Sequence, residues 1–108
     1  MRFFGLKACD TCRKALSALR AAGHDPEVID VRADGIAAED LAAIVAAFGE
    51  GAVNRASATW RGLDAADRAL PVAALIARHP AVMKRPVIVA DGVWTRGWDR
   101  AVQARFGL

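Results

Sequence analysis

The chain has 108 residues, 55% hydrophobic and 25% charged, with a formal net charge of +3. That length suits a single domain with one modest core, and the composition excludes a disordered or fibrous chain. No apolar run approaches the roughly 18 residues of a membrane span, and the mild, scattered positive charge, with no aromatic residues interleaved through a basic cluster, argues against direct nucleic-acid binding.

"RFFGL" (2–6) is a short apolar, aromatic run and predicts a buried strand. The N-terminal stretch "MRFFGLKACD" (1–10) turns polar too soon for the apolar core of a signal peptide and shows no small-residue cleavage site, so the expected location is cytoplasmic. From Thr11 to Ala22, Ala15, Leu16, Leu19 and Ala22 recur at helical spacing, and Gly23 follows where a helix commonly stops. "PEVIDVR" (26–32) alternates Val28 and Asp30 with Ile29 and Val31, a second strand. Strand, helix and strand within about thirty residues make a βαβ unit.

The pattern then becomes helical over about 36–80. "AAEDLAAIVAAFG" (37–49) is strongly periodic, "LDAADRAL" (63–70) is shorter, and "PVAALIARHP" (71–80) begins and ends on proline. Proline is tolerated in a first helical turn and stops a helix at its end. "RPVIVADGVW" (85–94) reads as two strands joined by Asp91-Gly92, a dipeptide favoured in tight hairpins, and "WDRAVQARFGL" (98–108) as a closing helix. The order is βαβ, a helical insertion, then ββα within one domain, which is an α/β thioredoxin-like fold.

Two cysteines are too few for a secreted disulfide scaffold, and in a reducing compartment a close pair points to metal or redox chemistry. In "KACDTCRKAL" (7–16), Cys9 falls between the first strand and the first helix, and Cys12 lies one turn inside that helix. Free N–H groups and the positive end of the helix dipole favour an anion at such a junction. A thiol there, beside cations, can fall from about 8.5 to between about 3.5 and 7.5. Cys9 is therefore the candidate nucleophile, with Lys7 and Arg13 as nearby cations. The spacing places Cys12 to attack a mixed disulfide on Cys9. Two readings compete with this one. A metal site needs further ligands, and His24 and His79 lack finger or knuckle spacing, so no metal is expected. Two inert core thiols fit poorly with polar flanks on both sides.

In thioredoxin-like folds the strand after the helical excursion often opens on a cis proline that packs on the active-site cysteine. Pro86 in "KRPVIV" occupies that place, and the sequence leaves cis and trans both open. Arg85 before it supplies a guanidinium that would stabilise a thiolate and hold a carboxylate or oxyanion.

"FGLKACDTCRKAL", "VNRASATWRGL" and "HPAVMKRPVIV", in this order and over nearly the whole chain, resemble the arsenate reductase superfamily. That group includes glutaredoxin-coupled arsenate reductases, the Spx/MgsR regulators and a YffB-like branch, to which "GLKACDTCRKA" and "TWRGL" look closest. The resemblance implies that Cys9 matches the catalytic cysteine, and that Arg55 and Arg85 match two anion-binding arginines. Arg96 in "WTRGW" lies near the third without aligning on it. It departs from the arsenate reductases at Gly5, where they carry a histidine four positions before the cysteine. A peptide-like thiol such as glutathione, its carboxylates met by Arg55 or Arg85, fits these features better than arsenate, with glutaredoxin as a further partner. The family also implies an alternative, a redox-sensing regulator binding the RNA polymerase alpha subunit. Arg55, Arg61, Arg96 and Trp98 are candidate contacts for it, more simply read as solvated charges and a packed aromatic.

Overall fold

The computed structural model describes all 108 residues. Two compact units emerge, one formed by Met1–Val31 with Arg85–Leu108 and the other by Arg32–Lys84.

The first unit is built on a four-stranded sheet in the order β2-β1-β3-β4, comprising β1 (Arg2–Gly5), β2 (Glu27–Asp30), β3 (Val87–Ala90) and β4 (Val93–Arg96). β1 and β2 run parallel, and β3 is antiparallel to both β1 and β4. Between β1 and β2 lies helix α1 (Asp10–Ala21), so the predicted strand–helix–strand order holds, and a parallel pair needs such a crossover. Gly23, at φ +93°, takes the left-handed turn that follows the helix end. Alternation along β1 sends Phe3 and Phe4 to opposite faces. Phe3 joins Cys12, Ala15, Leu19 and Ile88 in a buried cluster, against which Leu16, Trp98 and Phe106 pack. Each such large side chain contributes about 1.5–3 kcal/mol by leaving water. Phe4, on the other face, stacks on Trp94 at 5.9 Å between ring centroids.

The β3–β4 hairpin turns through Asp91 and Gly92, both at positive φ (51° and 75°), as a tight two-residue loop of this composition requires. Asp99 caps the last helix, whose range Arg100–Arg105 is shorter than the predicted 98–108.

The second unit is helical. The strongly periodic segment forms α2 (Ala38–Phe48), with Glu39 and Asp40 in its first turn and Gly49 ending it at φ +53°. The predicted 63–70 and 71–80 helices contract to α4 (Ala65–Arg68), capped by Asp64, and α5 (Val72–Arg78), in which Pro71 stands at the N-cap rather than in the first turn. One short helix, α3 (Ala58–Arg61), has no counterpart in the sequence reading; the Ser57 hydroxyl nucleates it by accepting from the Trp60 N–H at 3.1 Å. Ile44, Leu75, Ile76, Val82 and Met83 are buried. No helix of the chain is long and apolar enough to cross a membrane.

Candidate functional site

β1 ends at Gly5, and the chain turns so that the Cys9 N–H reaches the Leu6 carbonyl at 3.1 Å. Cys9 then takes an extended conformation (φ −86°, ψ 117°) as the N-cap of α1, its sulfur accepting from the Cys12 N–H at 3.4 Å. A cysteine here does what serine or aspartate does at most helix starts. The benefit runs both ways, because the helix end satisfies a negative sulfur better than a neutral one.

The two sulfurs are separate thiols, Cys9 half-buried and Cys12 only 3% exposed. Their surroundings drive them apart. Partial burial works against ionisation of Cys9, but the Cys12 N–H, the Cys12 thiol and the Arg85 guanidinium together outweigh it and hold the pKa below the usual thiol value. Burial pushes Cys12 up to about 12, with the neighbouring Cys9 sulfur adding to the rise against an opposing pull from the Leu6 backbone and Arg85. One sulfur is thus an anion in waiting and the other a proton donor to it. Opposed pKa values in adjacent groups are a signature of assigned chemical roles.

Arg85 reaches this junction because it precedes Pro86 at the opening of β3, and the Arg85–Pro86 peptide is cis. The Pro86 carbonyl is secured by the Gly97 N–H at 2.8 Å. Arg96 ends β4 opposite Val87 and is exposed. Arg13 pairs with Asp10 and donates to the Lys7 carbonyl at 3.5 Å, and Lys7 is exposed while its own N–H donates to Asp30 Oδ2 at 3.1 Å. Arg55 belongs to the second unit, where its guanidinium lies 5.3 Å from the Trp60 ring centroid and 3.8 Å from the Glu50 carboxylate. Arg61 donates to the Ala56 carbonyl at 2.7 Å, and Trp98 stacks on Phe106 at 6.3 Å. Each histidine has a local partner. His24 Nε2 donates to the Phe106 carbonyl at 3.0 Å, and His79 Nε2 to the Asp67 carboxylate at 2.9 Å.

Two further residues border the thiols, Gly5 and Asp30, neither of which the sequence analysis assigns to the site. A Cβ on Gly5 would lie 2.9 Å from Phe3 Cε1 and 3.0 Å from Cys12 Sγ, so the Cys12 sulfur occupies space that a side chain there would need. Asp30, at the end of β2, is 7% exposed and shares with Cys12 the wall of a cavity of about 260 Å3, otherwise lined mainly by Phe3, Leu6, Leu16 and Val28. Its only sequence signal was a carboxylate closing an apolar strand.

The family model described as the ArsC family matches residues 4–106. An uncharacterised protein of Haemophilus influenzae is 34% identical over 110 residues, covering 95% of this chain and 96% of its own length. The solved structure of the YFFB (PA3664) protein superposes with a TM-score of 0.87 at 33% identity, over 96% of each chain. An arsenate reductase (ArsC) related protein from Brucella melitensis gives a TM-score of 0.74 at 32% identity, over 99% of this chain and 94% of its own.

Proposed function

The chain belongs to the ArsC family, and we propose that within it the protein is a cytoplasmic thiol–disulfide oxidoreductase that uses glutathione as co-substrate. The observation that carries this reading is the pairing at the start of α1: a helix-capping Cys9 whose pKa is lowered, beside a buried Cys12 whose pKa is raised. The Cys9 thiolate attacks one sulfur of a substrate disulfide, forming a mixed disulfide and expelling the first thiolate. Cys12 then attacks the Cys9 sulfur, the second thiol departs, and the pair is left as a Cys9–Cys12 disulfide. Two glutathione molecules return it to dithiol and leave as glutathione disulfide. Arg85 stabilises the Cys9 thiolate and then meets a carboxylate of the incoming peptide. Lys7, Arg13 and Arg96 add positive charge for an anionic substrate, and glutaredoxin serves as a relay.

The test is pH-dependent alkylation with mass mapping, together with the Cys12→Ser variant. Cys9 should react fast near neutral pH and Cys12 sluggishly, and Cys12→Ser, given the substrate disulfide, should accumulate a mixed disulfide on Cys9. Two sluggish thiols, or a variant that accumulates none, would end the proposal. Turnover with arsenate, glutathione and glutaredoxin would redirect it to an oxyanion substrate, and redox-dependent capture of the RNA polymerase alpha subunit without turnover to regulation.

A further inference from the structure

Helix α1 leaves room against the edge of the sheet. Phe3 and Gly5 of β1 are paired with Val28 and Asp30 of β2, and paired residues of neighbouring strands project from the same face. Phe3 packs with Cys12, Ala15 and Leu19, so this is the face that α1 covers. Filling the space between a helix and a sheet to ordinary density takes large side chains, and here Gly5 offers none and Cys12 a small one. What remains is the cavity of about 260 Å3, well above the roughly 150 Å3 at which an apolar cavity takes up benzene. β2 is the edge strand, and Val28, although it projects to the covered face, is 41% exposed. The cavity therefore opens to solvent along that edge.

Its surfaces sort by depth. Phe3, Leu6, Leu16 and Val28 form an apolar wall, with the 3% exposed Cys12 at its inner end, while Lys7 and Arg13 are exposed at the mouth. Arg13 is committed to Asp10, so the Lys7 ammonium is the charge left for a ligand. Asp30, the one carboxylate in the lining, is only 7% exposed, and its Oδ2 accepts from the Lys7 N–H. An apolar body with a single anionic end matches this order. A peptide would leave its amide groups without partners along such a wall, which sets the ligand apart from glutathione.

We propose that this cavity binds a small organic acid with an apolar body, its carboxylate at Lys7 and its hydrocarbon against Cys12, and that occupancy slows the attack of Cys12 on the mixed disulfide. The binding stands on the cavity alone, and the slowing rests on the exchange reaction given above. Hydrocarbon in place of water beside the Cys12 sulfur disfavours the thiolate it must become. Cys9 is not among the lining residues, so its own attack is untouched.

Octanoate is the probe. Calorimetric titration of the full chain should show one octanoate bound with a Kd of about 0.1–1 mM, and acetate, a head without a body, should give no binding. Val28→Asp, a polar change at a half-exposed strand position, should abolish octanoate binding. Lys7→Gln should weaken octanoate about threefold and leave octan-1-ol unchanged, because an exposed charge contact contributes little. Amide chemical-shift changes in the wild type should concentrate at Leu6, Leu16 and Val28, which locates the acid even where a variant does not fold.

Reaction with 5,5′-dithiobis(2-nitrobenzoate) reads the second part, because Cys9 attack releases one thionitrobenzoate and Cys12 attack the second. Saturating octanoate should slow the second release roughly three- to tenfold, as a further rise of up to one unit in the Cys12 pKa requires, and leave the first unchanged. The proposal is overturned if octanoate shows no saturable binding up to about 10 mM. It is overturned equally by binding that survives Val28→Asp, by shifts concentrated away from the cavity, or by a second release that saturating octanoate does not slow. Absence of the first release in the wild type would instead remove the exchange reaction and leave the binding result standing.

Discussion

The two ends of the four-stranded sheet use polar groups in opposite ways. At one end β1 and β2 finish and β3 begins, gathering Gly5, Asp30, Pro86 and the Cys9 cap of α1. At the other, β3 turns into β4 through Asp91-Gly92, and His24, beyond the end of α1, is held by the Phe106 carbonyl. The far end is a set of local solutions in which each turn or ring meets its own requirement. At the near end, Cys9, Cys12 and Arg85 set one another's charge, and Asp30 shares a cavity wall with Cys12. Perturbing the near end should alter chemistry more than folding, and perturbing the far end the reverse.

The strongest way to break this contrast is Cys9→Ser, which should abolish exchange, a loss of at least a thousandfold in thionitrobenzoate release, with a thermal midpoint close to wild type. Arg85→Gln removes a cation that lowers the Cys9 pKa, so that pKa should rise. Alkylation of Cys9 at pH 7 should slow by roughly tenfold for each unit of rise, and the midpoint of its pH–rate profile should move upward.

Cys12 gives a stability signature of its own. Its folded pKa, about 12, lies above the usual thiol value of about 8.5, so the stabilisation is complete below that value and is lost as pH rises toward 12. Between pH 9 and 11 the wild type should lose about 2 kcal/mol more than Cys12→Ala in urea titrations. Gly5→Ala crowds Phe3 and Cys12 and should cost about 1–3 kcal/mol while displacing the resolving sulfur, read as a lower urea midpoint and a slower second release. The smallest effect belongs to the far end. Gly92→Ala strains a residue at φ +75° and should cost about 1 kcal/mol with both release rates unchanged. A change in either rate would show that the ends are not independent.

Much of this arrangement could be read from residues alone where the signal is local. "RFFGL" and "PEVIDVR" announced strands by apolar character and alternation, Asp91-Gly92 announced its turn, and Cys9 announced a helix start because a strand signal ends before it and helical spacing begins after it. The helix at Ala58–Arg61 escaped because four residues hold too little periodicity to register, and a single serine hydroxyl starts it. Gly5 was noticed only as the lack of a histidine, and Asp30 only as one member of an alternating pair.

By itself, then, the amino-acid order determined the element sequence, the thioredoxin-like fold, the kinship of the chain and the position of its two thiols, all of which depend on neighbours within a turn or two. Tertiary structure alone decided that Arg85 faces Cys9, that Cys12 is buried against a bare Gly5, and that Asp30 shares its cavity. The physical reason is that strand register brings residues 25 positions apart into one row. A thiol's proton affinity responds to what stands within a few ångströms, however distant it is along the chain.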